Sequence, residues 1–598
     1  MKKRIIAILM SFCMTASMLA ACGTEEPSVS RGSYDPDEST KEGAKATPTP
    51  ASEKDIEARI KKVGEKYDGL YSYEYDYDLR GLSGATNGGM VMMTEDVAEA
   101  EDFSGSPQMS YAASSMKQET IDYPYMEPDV DWNTEGYNQV KESGFVSVAT
   151  QPFSTFGADV DTATYSNLRR SLYEKDGYGI SGEAIRAEEM INYFSYDYAK
   201  PEDGEKFSVT TVLTPCPWNE DTMLFKVGIR AEEIPADSGS NIVFLIDTSG
   251  SMFDNNKLPL AQKAFKILQE ELTDKDTVSI VTYAGGDTVL LEGAKGSDHR
   301  EIEEAIDSLE AWGSTNGEGG IKKAYEIAEK YFIEGGNNRI ILATDGDLNV
   351  GVSSEAGLIE LVEEKKQGGV FLSCLGFGEG NYMDDKMEAL ADHGNGNYAY
   401  IDCTREAERV LKDEMYSTLY TVAKDVKFQV EFNPAQIKGY RQIGYENRKM
   451  AAEDFADDTK DGGEVGSGQT VTVLYEVVTV DSDFEIPEVT SRYGSDEASD
   501  NGSDELLTVS IRYKEPDEDT SKLITCPVGK DDIVDTMDED TSWAAGVAQF
   551  AMLLRGSEYA GTSTYEDVRE RLKVTPKVMT DDFRAEFIYL IDLAQDVQ

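Results

Sequence analysis

Between residues 241 and about 411 the chain repeats one pattern. Short, mostly apolar runs (242–246, 278–283, 339–343 and 370–377) alternate with amphipathic stretches of helical period (258–272, 300–309, 319–332 and 355–367). A strand that is apolar at every position must be covered on both faces. A helix between successive strands makes them parallel and does the covering. The pattern therefore predicts an α/β, doubly wound parallel sheet. Its first run leads straight into V-F-L-I-D-T-S-G-S-M, residues 243–252. Asp247, Ser249 and Ser251 thus stand at the carboxyl end of a strand, the edge at which open parallel sheets bind ligands.

After residue 420 the period changes to two. Val426, Phe428, Val430 and Phe432 alternate with Lys427, Gln429 and Glu431, and Leu507, Val509, Ile511 and Tyr513 alternate with Thr508, Ser510 and Arg512. This is the mark of half-exposed antiparallel strands, and a sandwich is expected. Strands are also expected at 207–213, 223–230 and 469–478, with an acidic loop at 491–505. The strands on both sides of the α/β segment should belong to one sheet system, with that segment inserted between them. Helices are expected at 163–174, 183–194, 542–554, 565–572 and 582–594. Residues 55–66 place Ile56, Ile60 and Val63 at helical spacing. The alternating run Y-S-Y-E-Y-D-Y-D at 71–78 reads as part of a polar, acidic stalk.

The N-terminus carries Lys2, Lys3 and Arg4, then an apolar run from Ile5 to Leu19, then Leu19-Ala20-Ala21-Cys22. The run is too short for an ordinary membrane-spanning helix and has the form of a signal peptide. Its last four residues resemble a bacterial lipobox, which implies that Cys22 receives lipid after cleavage before it. The expected location is the outer face of a cell membrane. Of the remaining cysteines, Cys374 lies in an apolar run. Cys216 and Cys526 each precede a proline and could pair, although spacing leaves the connectivity open.

A formal charge of -58 argues against binding nucleic acid, a polyanion that must be met by lysine and arginine. Two histidines, His299 and His393, leave little scope for histidine-rich zinc sites or a Ser-His-Asp triad.

Two further stretches belong with the 247–251 turn. Gly313-Ser314-Thr315-Asn316-Gly317 precedes a helix, and Thr344-Asp345-Gly346-Asp347 follows a strand. The candidate ligands are Asp247, Ser249, Ser251, Thr315 and Asp345. This all-oxygen set suits Mg2+, or Mn2+ or Ca2+, rather than zinc. Asp254 and Asp276 read as solvated charge.

D-T-S-G-S, the threonine of G-S-T-N-G and the aspartate of A-T-D-G-D resemble, in this order, the metal-ion-dependent adhesion site of von Willebrand factor type A domains. The resemblance implies that Ser249, Ser251 and Thr315 supply hydroxyls and that Asp247 and Asp345 supply carboxylates, often through water. It also implies a coordination position completed by an exposed Asp or Glu of a protein partner. The wider chain, from 145 to 598, is similar to a group of bacterial type A lipoproteins. The stretches that carry this are F-G-A-D-V-D-T-A-T-Y (156 on), E-E-M-I-N-Y-F (188 on), I-G-Y-E-N-R (443 on) and L-L-R-G-S-E-Y (553 on).

The resulting division is a signal peptide (1–21), a disordered acidic stalk (22–143), an N-terminal flanking domain (144–236), a type A domain (237–415), a β-rich flanking domain (416–530) and a helical C-terminal segment (531–598). The expected function is protein binding through a divalent cation, without catalysis. One alternative is a structural role in the cell envelope. Another is metal-dependent phosphotransfer, since a strand ending in Asp is also found in haloacid-dehalogenase-type phosphatases. Their motif is D-x-D, and here Ser249 stands at its second position. A partner carboxylate must approach an acidic protein, so Lys257, Lys295 and Arg300 are expected to line the site.

Overall fold

The computed structural model describes residues 51–74, 135–137, 141–174, 181–234, 239–284, 286–313, 317–346, 355–380, 382–486, 503–516 and 518–597. Strands and helices are numbered along the chain.

The α/β segment forms a sheet in the order β10 (Tyr398–Tyr400), β9 (Phe371–Gly376), β8 (Asn337–Thr344), β5 (Ser240–Asp247), β6 (Thr277–Tyr283) and β7 (Asp287–Lys295). All neighbours are parallel except β6 and β7. Helices α4 (Leu258–Glu270), α5 (His299–Asp307), α6 (Gly317–Lys330), α7 (Glu355–Lys366) and α8 (Asp384–His393) pack around it. Every residue of β5 is buried, as a strand covered on both faces requires. Phe244 stacks on Phe265 of α4 with ring centroids 4.4 Å apart. The fold is the expected doubly wound α/β domain, with one antiparallel edge strand that the apolar runs did not announce. Residues 287–295 are exposed or half-exposed throughout, and their apolar run is only Val289-Leu290-Leu291.

Two more sheets face each other beside it. One has the order β1 (Val146–Ser147), β12 (Ile437–Ile443), β15 (Thr470–Thr479), β4 (Met223–Ala231) and β3 (Phe207–Pro215). The other has the order β13 (Lys449–Met450), β2 (Phe153–Gly157), β11 (Thr421–Phe432), β16 (Glu505–Lys514) and β17 (Lys522–Gly529), and β14 (Gly463–Gly466) also pairs with β11. Phe432 of the second sheet packs edge-on against Tyr475 of the first at 5.6 Å, and Phe207 meets Tyr513 at 5.2 Å. The strands expected in one sheet system therefore occupy two facing sheets of a single sandwich. Strands from both sides of the α/β domain build it, so 144–236 and 416–530 are not separate domains.

The α/β domain is inserted between β4 and β11. Its two ends meet: the hydroxyls of Ser240 and Tyr420 are 2.8 Å apart. Asp276, read above as solvated, is buried and accepts a hydrogen bond from the Ser240 backbone N–H at 2.7 Å, tying the start of β5 in place.

The helices gather into a third body: α1 (Glu53–Glu74), α2 (Ala163–Glu174), α3 (Ala187–Asn192), α9 (Glu539–Arg555), α10 (Tyr565–Lys573) and α11 (Asp582–Val597). They share one apolar core, with Trp543 fully buried. The reading of residues 53–74 as stalk is corrected here. Ile60, Val63, Tyr67 and Tyr71 are buried in that core. Arg569 reaches Glu57 at 2.6 Å, and Tyr67 donates a hydrogen bond to Asp582. The rest of the expected stalk, apart from short pieces near 135–143, lies outside the described residues, as does the signal peptide with Cys22. Arg169 of α2 joins this body to the α/β domain. It is wholly buried, bonding Asp402 at 2.6 Å, Glu406 at 2.8 Å and, from the last helix, Glu586 at 3.5 Å.

Cys216, Cys374, Cys403 and Cys526 are free thiols. Among the described residues no helix is long and apolar enough to cross a membrane.

Candidate functional site

β5 and β8 run side by side, with Ile246 opposite Ala343, so both chains leave the sheet at the same edge. Their first residues past the apolar run are Asp247 and the Thr344-Asp345 pair. Asp247 and Asp345 are fully buried. After β5 the chain turns tightly: the Ser249 backbone N–H donates to Asp247 Oδ1 at 2.8 Å. This turn brings the Ser249 and Ser251 hydroxyls within 2.9 Å of each other. Thr344 Oγ1 donates to the other Asp247 oxygen at 3.0 Å. Gly346 then reverses the chain at φ 84°, where a Cβ would lie 2.6 Å from the Met383 backbone nitrogen. Only glycine fits that turn.

Thr315 lies outside the described residues. The chain just before it is held against the turn: the Gly250 N–H donates to Gly313 O at 3.1 Å, and the Trp312 N–H donates to Thr248 O at 2.8 Å. Two of the expected carboxylates and two of the expected hydroxyls thus stand at one edge. Thr344, which anchors Asp247, was visible in the sequence only as the residue before Asp345.

Burial pushes the Asp247 carboxyl up to about 6, reinforced by the nearby negative charge of Asp345 and opposed by the hydrogen bonds from Ser249 and Thr344. Lys257, at the start of α4, answers the second carboxylate. Its ammonium donates to Asp345 Oδ2 at 3.0 Å, and the lysine is itself buried. Its alkyl chain crosses over Gly378, where a Cβ would come within 2.5 Å of it. The expectation that Lys257, Lys295 and Arg300 line the approach to the site is overturned. Lys257 is inside. Lys295 pairs with Thr277, which pairs with Asn241, so Lys295 stands at the far end of the sheet, and Arg300 follows it there.

The residues fit a hard cation. Two carboxylates and two neutral hydroxyls stand at one sheet edge, and the buried ammonium of Lys257 rests on one of the carboxylates. Among the described residues no group of three or more His, Cys, Asp and Glu side chains is arranged to hold a metal. The set here is of another composition, with hydroxyls in place of further acids.

Family models match three successive parts of the chain: von Willebrand factor over residues 131–226, von Willebrand factor type A domain over 241–413, and "Uncharacterized protein YfbK, C-terminal" over 417–597. The Escherichia coli K12 protein YfbK is 42% identical over 481 residues, covering 78% of this chain and 82% of its own. This chain belongs to the YfbK family. The α/β domain is a von Willebrand type A domain, and the sandwich strands after it, with the last helices, form the YfbK C-terminal region. Human inter-alpha-trypsin inhibitor heavy chain H3 is 29% identical over 171 residues, which is 27% of this chain and 19% of that protein. Among solved structures, a von Willebrand factor type A protein from Catenulispora acidiphila is 16% identical with a TM-score of 0.35, over 61% of this chain and 89% of that one.

Proposed function

We propose that this protein binds a protein partner through a divalent cation held at the carboxyl edge of the type A sheet. The type A domain itself points to protein interaction or adhesion. The observation that carries the finer reading is the convergence of Asp247, Ser249, Ser251 and Asp345 at one edge, two of them buried carboxylates. With Thr315, these side chains would hold Mg2+, or Mn2+ or Ca2+. When bound, the ion would supply an electrophilic position for an Asp or Glu of the partner.

The residues of this chain orient that site. Thr344 and the Ser249 backbone fix the Asp247 carboxylate, and Lys257 offsets the charge of Asp345 while the site is without a divalent ion. The proposed role is binding without catalysis. The signal-like N-terminus and the L-A-A-C sequence support a lipid anchor at Cys22, which would set the binding edge outside the cell at a membrane surface. A structural envelope protein would not need two carboxylates buried at a sheet edge.

Magnesium titration of the full chain, followed by thermal unfolding, tests the cation site. Binding to the folded state should raise the melting temperature with magnesium concentration, and Asp345→Asn should remove that rise. An equal rise in wild type and variant would refute the assignment.

A further inference from the structure

We propose that Phe253 and Trp312 form an aromatic rim around the cation site, and that it selects a protein segment presenting one carboxylate flanked by apolar side chains. This rests on the cation reading above.

Two separate loops carry these residues to the edge at which β5 ends. Phe253 lies two residues past Ser251, and Trp312 lies three residues before Thr315. They are 73% and 74% exposed, the highest values among the large hydrophobic side chains described; the next, Val574, is 67% exposed. Surface aromatics of this size are normally covered, because each would remove 150–250 Å2 of mostly apolar area from water, roughly, if buried. Two such side chains at one sheet edge are a contact surface rather than a scatter of single exposed residues. The Phe253 loop and the Trp312 loop are fastened together by the backbone hydrogen bonds from Gly250 to Gly313 and from Trp312 to Thr248. The two backbones are thus held together, and docking has only the ring torsions left to order.

Charge narrows the occupant. The residues beside the rings, Asp254 and Glu310, are exposed acids, and Lys257 is buried against Asp345. A partner segment with several acids would be repelled by this rim and by the formal charge of -58. A single carboxylate can be taken up by the cation, with its apolar neighbours covering the two rings. Central aromatic side chains are the residue type that dominates binding energy in protein interfaces.

The test uses the full chain and two capped heptapeptides with a central glutamate, flanked on both sides by leucine in one and by glycine in the other. Calorimetric titrations are run in magnesium and in EDTA. In magnesium, the leucine-flanked peptide should bind about tenfold more tightly. In a Phe253→Ala, Trp312→Ala variant that ratio should fall to about one, with an unchanged melting temperature because both side chains are exposed. Equal magnesium-dependent binding of the two peptides to wild type would overturn the rim proposal and leave the cation site standing. Binding that is the same in EDTA and magnesium, or no binding of either peptide, would overturn the cation reading and the rim with it. A variant that keeps the tenfold ratio would show that other residues make the selection.

Discussion

The ammonium of Lys257 lies 3.0 Å from the carboxylate of Asp345, and both side chains are buried. A cation held by Asp345 would lie beside this ammonium, and like charges repel, so the lysine competes electrostatically with the ion. In Lys257→Met the buried Asp345 loses this ion pair. Without metal that variant should be less stable by about 3 kcal/mol. Magnesium should then raise its melting temperature more than it raises that of wild type. Parallel unfolding curves in EDTA and magnesium decide this, and an equal gain in both proteins would exclude competition.

Glu188 of α3 gives a pH dependence. It is fully buried, and neither carboxyl oxygen has a hydrogen-bond partner. Burial, then the nearby Glu446, Asp159 and Glu189, hold its carboxyl well above the usual 4.5. The folded protein keeps a proton that the unfolded chain releases. The resulting stability is full below pH 4.5 and declines as pH rises above it, by up to about 1.4 kcal/mol per pH unit until the folded group ionises. Glu188→Gln carries no such proton. Its melting temperature should match wild type near pH 4 and exceed it at pH 8. Parallel pH profiles for the two proteins would contradict this.

The helix 53–74 should be part of the folded unit. Deleting residues 1–74 uncovers the surfaces that Ile60, Val63, Tyr67 and Tyr71 bury. The truncated chain should lose about 5 kcal/mol of stability and bind a dye for exposed apolar surface. If α1 is dispensable, denaturant unfolding will show the same midpoint with and without it.

The lipid anchor is tested by metabolic palmitate labelling in a bacterial host. Wild type should incorporate label and Cys22→Ala should not. Equal labelling in the two would dispose of the anchor.

The type A domain was legible because its strands are continuous apolar runs with a carboxylate at the end of the first, and residues 242–247 announce themselves without tertiary information. Lys257 was not. Its role depends on Asp345, 88 residues away, and a lysine at the start of a helix ordinarily faces water. The α1 helix was half visible. Ile56, Ile60 and Val63 have helical spacing, but the pattern continues through Tyr67 and Tyr71, and tyrosines interleaved with acids look like a solvated tail. The alternation in 426–432 and 507–513 exposed the sandwich strands. Their partners in the facing sheet, such as Phe207 against Tyr513, are set by packing across hundreds of residues, which no local period records.

The meeting of Ser240 and Tyr420 has a mechanical consequence. The type A domain hangs from the sandwich by two chain crossings at one end of its sheet, while the proposed binding edge lies at the other, roughly 25 Å away along β5. A pull applied at that edge is divided between two covalent tethers, and Arg169 braces the domain from the side. Cutting either tether alone would leave the domain attached by the other.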